Sequence, residues 1–437
     1  MIGAARLRTL FRDKPNVRAF GTNFGWLVAD KLTRFLVAIF VSAWVARYLG
    51  PARYGVLAYG IAFISMFQAI ALLGLDNVIV RDAAAEPTQA HRLLGTALRL
   101  RMAGATVAYG AMVAVAYAFH RDDGVTTAVV ALAGVSVFFQ VSDVVDLWFQ
   151  SQMQSRRTVI VKTSSYLVTA ALKVFMITSG AGLLAFAGAN AIETGLAAVA
   201  LTFAYRRFHT QVPWHWDGST ARALLQQSWP LLLSGVAILL YMRVSVVILR
   251  EFADDAAVGI YTVGATLSEM WYFIPMAMAS SIAPIISRKR VEGGDAYKRA
   301  LFKTFAGMWG LSIVVASVNA LTARYWVEIL YGHQYRDSAG IFALHSLTFV
   351  PVCLGVAQSI WLINEGRSRL ALYQAVAGAV VALGLNLLLT PRFGAHGAAA
   401  STVISQFVQA FLVNAALAPD LFRLQVRSMR LFSAFKS

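Results

Sequence analysis

Long apolar runs separated by short polar connections recur along the whole chain. Twelve of these runs reach the roughly 20 residues that a helix needs to cross a hydrocarbon core of about 30 Å. No polar connection is long enough to form a domain of its own. The pattern therefore predicts an all-α integral membrane protein with twelve transmembrane helices, at about residues 21–48, 56–79, 94–119, 126–149, 159–181, 183–204, 224–249, 258–286, 301–322, 339–362, 370–390 and 394–417.

The basic residues are distributed unequally between the two ends of these spans. Of the 38 Lys and Arg residues, we assign 27 to the side that holds both termini and every second connection, and 7 to the opposite side. Short connections rich in Lys and Arg stay in the cytoplasm when a membrane protein inserts. We therefore predict that both termini are cytoplasmic. An odd number of spans would remove this asymmetry in basic residues, so the charge count supports a total of twelve spans.

A short repeat relates the two halves of the chain. Residues 55–60 (GVLAYG), at the start of span 2, match residues 259–264 (GIYTVG), at the start of span 8. Each half contains six spans and inserts in the same orientation, which predicts two six-helix lobes related by a parallel pseudo-two-fold, as in transporters built from repeats. The predicted organisation is a basic cytoplasmic lead (1–20), an N-terminal lobe (21–204), a cytoplasmic linker (205–223), a C-terminal lobe (224–417) and a basic cytoplasmic tail (418–437).

Composition narrows the classes of function. Hydrophobic residues make up 58% of the chain and charged residues only 14%, compared with about 25% charged residues in soluble domains. The net charge of +17 would suggest nucleic acid as the partner of a soluble protein, but these basic residues flank membrane spans, where they attract anionic lipid. We expect membrane lipids and no nucleic acid as partners. The single cysteine and the scattered histidines predict no metal site, and the lack of an enzyme motif predicts no catalytic activity.

Ionisable residues inside the spans are the candidates for binding. A Lys or Arg at the centre of a membrane helix costs about 2.5–3.5 kcal/mol on insertion scales, so it is expected to face the bundle interior or a water-filled cavity. A cationic central cavity would bind an anionic group of a substrate. The alternative is structural pairing, for example between Asp30 and Arg34, which lie four residues apart on one helix face. The four candidates are Lys31, Arg34, Lys173 and Arg243.

Two carboxylates, Glu193 in span 6 and Glu269 in span 8, fall near the middle of their spans. Such carboxylates are ordinary carriers of a coupling ion, so both are candidates for binding H⁺ or Na⁺. The alternative is that each neutralises a basic residue of the cavity. Pro275 and Pro284 are expected to kink span 8, which makes them hinge candidates.

Several longer runs carry a resemblance to a known family. They lie in order across spans 1 to 10, and the two most specific are the blocks at 45–60 and at 258–275. Together they resemble the Wzx-type polysaccharide flippases of the multidrug/oligosaccharidyl-lipid/polysaccharide exporter superfamily. Ser245 stands where similar proteins often carry an acid, and Ser151-Gln152-Met153 replaces a usual Gly-Ile-Glu. The runs are NFGWLVADKLTRF (23–35), VARYLGPARYGVLAYG (45–60), LLGLDNVIVRD (72–82), DLWFQSQMQSRR (146–157), SWPLLLSGVAILLYMRVSVVIL (228–249), VGIYTVGATLSEMWYFIP (258–275) and INEGRSR (363–369).

The resemblance implies a bundle of two six-helix lobes in the bacterial inner membrane. It implies export, by alternating access, of an undecaprenyl-pyrophosphate-linked oligosaccharide, such as an O-antigen or exopolysaccharide repeat unit, from the cytoplasmic to the periplasmic leaflet. No cofactor is expected apart from a coupling H⁺ or Na⁺, and the polymerase and glycosyltransferases of the same pathway are expected partners. The alternatives are a multidrug exporter of the same superfamily, a membrane polysaccharide polymerase or glycosyltransferase, and a non-transporting scaffold.

Overall fold

The computed structural model describes residues 15–208, 214–292 and 295–434, and these residues are almost entirely helical. Short 3₁₀ turns lie at 87–89, 270–272, 333–335 and 346–348, and a π-helical segment lies at 408–412. The helices are α1 (Pro15–Leu72), α2 (Asp76–Ala85), α3 (Ala90–Phe119), α4 (Gly124–Gly134), α5 (Ser136–Gln140), α6 (Asp143–Ser151), α7 (Ser155–Thr178), α8 (Leu183–Phe208), α9 (Gly218–Phe252), α10 (Asp255–Glu269), α11 (Phe273–Glu292), α12 (Asp295–Tyr331), α13 (Ser338–His345), α14 (Phe349–Asn364), α15 (Ser368–Phe407), α16 (Val413–Leu417) and α17 (Pro419–Ala434).

Ten helical stretches within these described ranges are long and apolar enough to cross a membrane. Two of them, Thr33–Ala85 with 53 residues and Arg369–Leu417 with 49, are each long enough for two crossings. Gly50 interrupts the first and Gly394 the second with a non-helical backbone conformation, and the first has a further break at Leu73 and Gly74, before the short helix α2. The ten stretches therefore contain twelve spans. The prediction of an all-α multi-pass membrane protein with twelve spans is confirmed.

The junction at Gly50 has a simple local cause. Gly50 has a φ of 73°, a left-handed conformation that glycine adopts readily and that ends many helices. Pro51 follows directly, and its fixed φ and missing N–H suit the first position of the next helix. The dipeptide therefore ends span 1 and begins span 2 without an irregular loop.

The chain divides into two compact units. The first contains residues 67–232 together with the described residues up to 42, and the second contains residues 43–66 and those from 233 onward. The core of the first unit includes Ile79, Leu94 and Phe149, and that of the second includes Phe305 and Phe349. The lobe boundaries expected from the sequence stay a prediction.

In the second unit, the two glycines that begin the sequence repeat lie against each other. A Cβ atom on Gly55 would lie 1.7 Å from the carbonyl oxygen of Asp255, and one on Gly259 would lie 2.1 Å from that of Pro51. Neither distance is physically possible for a side chain, so only glycine permits the two helix backbones to approach this closely. The repeat thus marks a helix crossing as well as the start of two spans.

The predicted basic tail, 418–437, folds through residue 434 as helix α17. Leu421, Gln425 and Ser428 are fully buried along one face, while Arg423 and Arg427 are exposed. The Gln425 side chain joins a buried amide cluster, in which Asn414 Nδ2 donates to Gln425 Oε1 at 3.1 Å. The tail is therefore packed onto the second unit.

Candidate functional site

The first predicted pair of charges lies in the first unit. Arg34, on the first part of α1, faces Glu193 on α8, and the distance from Arg34 Nη1 to Glu193 Oε1 is 4.0 Å. The Arg34 guanidinium also lies over the ring of Tyr166, 5.2 Å from its centroid, within range of a cation–π attraction. Direct charged hydrogen bonds measure about 2.7–2.9 Å. Arg34 and Glu193 therefore attract each other without being hydrogen-bonded.

The other basic candidates of this unit are placed differently. Lys173, on α7, interacts electrostatically with the same Glu193 carboxylate. Lys31 lies in α1 one turn before Arg34, but its side chain, like that of Asp30, lies outside the described residues. The structure thus gathers Arg34, Lys173 and Glu193, while the expected Asp30–Arg34 bridge stays a prediction.

The second predicted pair lies in the second unit and has the same chemistry. Arg243 on α9 faces Glu269 at the end of α10, with 3.6 Å between Arg243 Nη1 and Glu269 Oε2. Both side chains are partly exposed, Arg243 by 36% and Glu269 by 25%. The structure therefore places a predicted coupling carboxylate beside a predicted substrate-binding arginine in each unit. The residues predicted for substrate binding and those predicted for ion coupling therefore lie in the same two pairs.

Ser245 is buried two residues after Arg243, at the position where similar proteins often carry an acid. Its hydroxyl lies 2.8 Å from the Thr402 hydroxyl, which is also 3.3 Å from the hydroxyl of Tyr261. These three residues form a neutral hydroxyl cluster. They offer no carboxylate to a cation, so the acidic candidate in this part of the second unit is Glu269.

A buried histidine lies next to this second pair. His345 is 1% exposed, and its Nδ1 atom lies 2.5 Å from the hydroxyl of Ser268, the residue directly before Glu269. The Tyr261 ring packs edge-on against the imidazole, with 6.2 Å between centroids. The sequence interpretation missed His345 because it searched the histidines only for metal-ligand spacing.

Spans 8 and 10 share a paired helix break beside these residues. Glu269 is followed by the 3₁₀ turn 270–272 and then by Pro275, and His345 is followed by the 3₁₀ turn 346–348 and then by Pro351. In both spans the proline comes six residues after the ionisable group. A proline clashes with the carbonyl group four residues earlier, and in each span that carbonyl lies inside the 3₁₀ turn.

One further hydrogen bond joins the two breaks. The Tyr272 hydroxyl lies 2.6 Å from that of Thr348, and both residues end their 3₁₀ turns. Short 3₁₀ stretches within long helices often mark hinges. The structure therefore places a break directly before Pro275, whereas α11 continues through Pro284.

Arg101 is a further buried cation, inside predicted span 3, that the sequence interpretation did not include among its candidates. The structure places it in α3 with its side chain 1% exposed and paired with Asp76. Its Nε and Nη1 atoms have no hydrogen-bond partner among the described residues. A Cβ on Gly104, one turn later, would lie 3.0 Å from the Ile70 carbonyl oxygen, so this face of α3 packs on the last turn of α1.

Asp217 precedes α9 and caps its first turn. Its carboxylate accepts hydrogen bonds from the Ser219 hydroxyl, at 2.5 Å, and from the Thr220 hydroxyl and backbone N–H, at 2.5 and 2.8 Å. Arg92 lies 3.2 Å away. These hydrogen bonds, with a smaller contribution from Arg92, hold the pKa of Asp217 well below its usual range. The charged cap fixes the point at which the connection from α8 becomes helical.

Comparison with solved structures identifies the fold. The chain is 15% identical to an inward-facing multidrug resistance MATE family transporter of the MOP superfamily, with a TM-score of 0.69, covering 92% of this chain and 95% of that one. It is 14% identical to the lipid II flippase MurJ in an inward closed conformation, with a TM-score of 0.66 and coverages of 94% and 92%. A MOP superfamily transporter from Pyrococcus furiosus matches at 13% identity, with a TM-score of 0.55 and coverages of 95% and 94%. At these identities the likeness shows a shared fold.

Comparison at the level of sequence identifies the family. No curated protein sequence matches the chain significantly. The profile of the family described as polysaccharide biosynthesis protein matches residues 44–340, which is more than half of the chain and includes Lys173, Glu193, Arg243 and Glu269. The chain belongs to the polysaccharide biosynthesis protein family and has the fold of MOP superfamily transporters.

Proposed function

We propose that this protein is a flippase that moves an undecaprenyl-pyrophosphate-linked oligosaccharide from the cytoplasmic to the periplasmic leaflet of the bacterial inner membrane. Three findings support the proposal: the polysaccharide biosynthesis family, the fold shared with a lipid II flippase, and arginines inside membrane spans. The pyrophosphate supplies the anionic group that interior arginines bind, and the lipid chain stays in the bilayer during transport.

The two arginine–glutamate pairs carry this proposal. Retaining Arg34 and Arg243 inside the membrane is costly unless they have anionic partners. At 4.0 and 3.6 Å, their glutamates are too distant for direct hydrogen bonds. A pyrophosphate can approach a guanidinium group more closely and accept two parallel hydrogen bonds from it. The headgroup therefore competes with each glutamate for its arginine, and the glutamate keeps the arginine neutralised when no substrate is bound.

Energy coupling is the second part of the proposal. When the pyrophosphate takes Arg243, the displaced Glu269 loses its counter-charge and becomes able to bind H⁺ or Na⁺. Glu193 also interacts with Lys173, so taking Arg34 removes one of its two positive partners. The paired breaks in spans 8 and 10 lie directly beside Glu269 and provide a hinge at which those helices bend during alternating access. We therefore assign the hinge of span 8 to Pro275 rather than to Pro284, because Pro284 lies within a continuous helix.

A multidrug exporter is the competing function within the same fold. The arginine in each pair favours an anionic substrate over the cationic compounds that such exporters commonly carry. The proposal for the flippase also includes a coupling ion, a location in the inner membrane and cytoplasmic termini. Its proposed partners are the polymerase and the glycosyltransferases of the same pathway.

Deletion of the gene tests the function directly. The lipid fraction of the deletion strain is analysed by mass spectrometry, and the accumulated intermediate is tested for access from each side of the membrane. A flippase predicts accumulation of a complete pyrophosphate-linked oligosaccharide on the cytoplasmic face, relieved by the wild-type gene. Normal surface glycan, with no lipid-linked intermediate accumulating, would refute the proposal.

A further inference from the structure

The transport cycle proposed above gives no role to His345, the buried histidine beside the Arg243–Glu269 pair. Its side chain lies on α13 in the interior of the second unit and is 1% exposed. An ionisable residue inside a membrane span commonly marks the path of a substrate or an ion, and histidine is the side chain that gains or loses a proton near neutral pH. The imidazole is therefore a candidate site for a coupling proton.

The contact between His345 and Ser268 suits a protonated imidazole. The Ser268 hydroxyl lies 2.5 Å from Nδ1 of His345 and donates to the carbonyl oxygen of Ala265 at 3.0 Å. With its only proton directed to Ala265, the hydroxyl oxygen can accept a hydrogen bond from Nδ1–H. The imidazolium ion, in which both ring nitrogens carry a proton, keeps this bond. Protonation of His345 therefore costs no hydrogen bond at Ser268.

Few other titratable groups face His345 from the helices packed around it. They are Arg243 of α9, Tyr261 and Glu269 of α10, Tyr272 of the 3₁₀ turn that follows, and His396 of α15. Phenols are neutral near pH 7. His396 is exposed and lies beside Gly340, more than one turn away along α13, and α12 has no titratable residue between positions 304 and 323. Arg243 and Glu269 therefore dominate the electrostatic field at the imidazole.

The partner of Arg243 determines whether a proton on His345 is stabilised. Arg243 is close enough to act electrostatically on His345, and two like charges repel. In the structure Glu269 neutralises Arg243 across 3.6 Å, so the carboxylate has no unmatched charge to offer an imidazolium ion. When a pyrophosphate takes Arg243, the repulsion is relieved and Glu269 needs a new counter-charge. An imidazole binds a proton more tightly than a carboxylate does, since their ordinary pKa values are about 6.5 and 4.3.

We propose that the coupling ion at Glu269 is a proton, and that His345 takes it up when the pyrophosphate binds Arg243. The inference rests on the proposed flippase function, because it takes the pyrophosphate to bind this arginine. One H⁺ from water adds to the unprotonated ring nitrogen, and only this N–H bond forms. Glu269 then exchanges the guanidinium for the imidazolium as its counter-charge, and the anionic headgroup offsets the added positive charge.

The position of the two residues connects this proton to the hinge. Glu269 and His345 each directly precede a 3₁₀ turn, one in span 8 and one in span 10. A new attraction between carboxylate and imidazolium therefore acts across the paired helix breaks. Loss of the proton on the other side of the membrane would remove that attraction and return Glu269 to Arg243.

Proton uptake on substrate binding tests this inference with the purified full-length protein in lipid nanodiscs. The probe is undecaprenyl pyrophosphate carrying N-acetylglucosamine, whose two phosphates are both diesters and keep their charge near neutral pH. Calorimetry in two buffers of different ionisation enthalpy measures the protons bound per lipid. We expect uptake of at least half a proton at pH 7.5. We also expect the affinity to rise at least tenfold from pH 8.5 to pH 6.5, because binding of a linked proton and of the lipid strengthen each other.

His345→Gln removes the titrating group and keeps a side chain that can hydrogen-bond. At pH 8.5, where the imidazole is unprotonated, this variant should bind the probe within twofold of the wild type. Its affinity should then change less than twofold down to pH 6.5, a pattern that a general folding defect cannot produce, since such a defect weakens binding at every pH. The matched control is His396→Gln, at an exposed histidine of the same unit, which should keep the wild-type dependence on pH.

The remaining outcomes separate this inference from the function on which it rests. Binding by the wild type without proton uptake would overturn the inference and leave the flippase proposal intact, and an affinity that depends on Na⁺ would then identify the coupling ion as sodium. Equal proton uptake by the wild type and His345→Gln would place the proton on another residue and also overturn it. Failure of the probe to bind at any pH would instead contradict the flippase function.

Discussion

Arg243 and Glu269 lie on consecutive helices of the second unit with 3.6 Å between their charged groups. The distance is short enough for strong attraction and too long for a direct hydrogen bond. The same combination recurs in the first unit, where Arg34 and Glu193 are separated by 4.0 Å. The proposed function depends on this spacing, because it takes each arginine to be neutralised at rest and to exchange its glutamate for the pyrophosphate.

The first prediction concerns the glutamate of this pair. Glu269→Gln keeps the size of the side chain and removes its charge, so it cannot bind a coupling cation. We expect export to stop, and any residual export to be insensitive to an uncoupler. The measurement is surface glycan in a complemented deletion strain, with and without the uncoupler.

Glu328→Gln is the matched control for that variant, because Glu328 pairs with Arg324 on the exposed side of α12. It should export normally. Normal export by Glu269→Gln with full sensitivity to the uncoupler would show that Glu269 is not the coupling site.

The second prediction concerns the glycine crossing. Gly259→Ala places a Cβ 2.1 Å from the Pro51 carbonyl oxygen, so the helices must separate, at a cost of about 1–3 kcal/mol for an overpacked contact. We expect a lower thermal unfolding midpoint in detergent. Gly307→Ala is the control, because nothing lies within 4 Å of a Cβ at that position and alanine favours a helix. An unchanged midpoint for Gly259→Ala would contradict the described helix contact.

The third prediction concerns the charged cap of α9. Because the pKa of Asp217 is lowered in the folded protein, its charge contributes stability at neutral pH. That contribution is lost as the pH falls below the ordinary carboxyl pKa of about 4 and through the lower folded value. Asp217→Asn should therefore unfold at a lower temperature than the wild type at pH 7, with the difference shrinking as the pH falls from 5 to 2. A pH-independent difference would show that the charge of Asp217 does not contribute.

The fourth prediction concerns topology. Reporter fusions after residues 88, 155, 215 and 293 should all report a cytoplasmic location, because the basic connections stay inside. Residue 293 is the most informative position, since it is flanked by five basic residues, Arg288, Lys289, Arg290, Lys298 and Arg299. A periplasmic signal there would overturn the assignment of both termini to the cytoplasm.

The spans were predictable because each needs only a long apolar run, a property of consecutive residues. The helix junction at Gly50-Pro51 follows equally from local chemistry. The division of α1 between two compact units, with residues 43–66 in the second and the rest in the first, was not predictable, because it depends on which distant helices each part contacts.

The site was predictable only in part. Hydropathy identifies Arg34 and Arg243 as unusual, but their pairing with Glu193 and Glu269 depends on how the helices pack. Lys162, whose Nζ lies 2.7 Å from Asp143 Oδ1 and 2.6 Å from Asp146 Oδ2, was overlooked because it lies near the predicted cytoplasmic end of its span, where a basic residue needs no special explanation. The repeated spacing from Glu269 to Pro275 and from His345 to Pro351 was readable in the sequence. It becomes meaningful only because the two spans are hydrogen-bonded at their breaks.

Translocation by the purified protein tests the central claim most directly. Proteoliposomes are prepared with undecaprenyl-pyrophosphate-linked oligosaccharide in the inner leaflet, and its appearance in the outer leaflet is followed with a membrane-impermeant enzyme that cleaves exposed sugar. We expect rapid appearance with the wild type, none with the Arg34→Ala/Arg243→Ala double variant, and partial activity when both arginines are replaced by lysine, which keeps the charge but lacks the planar fork. Wild-type rates in the double alanine variant would contradict the assignment of these arginines to the pyrophosphate.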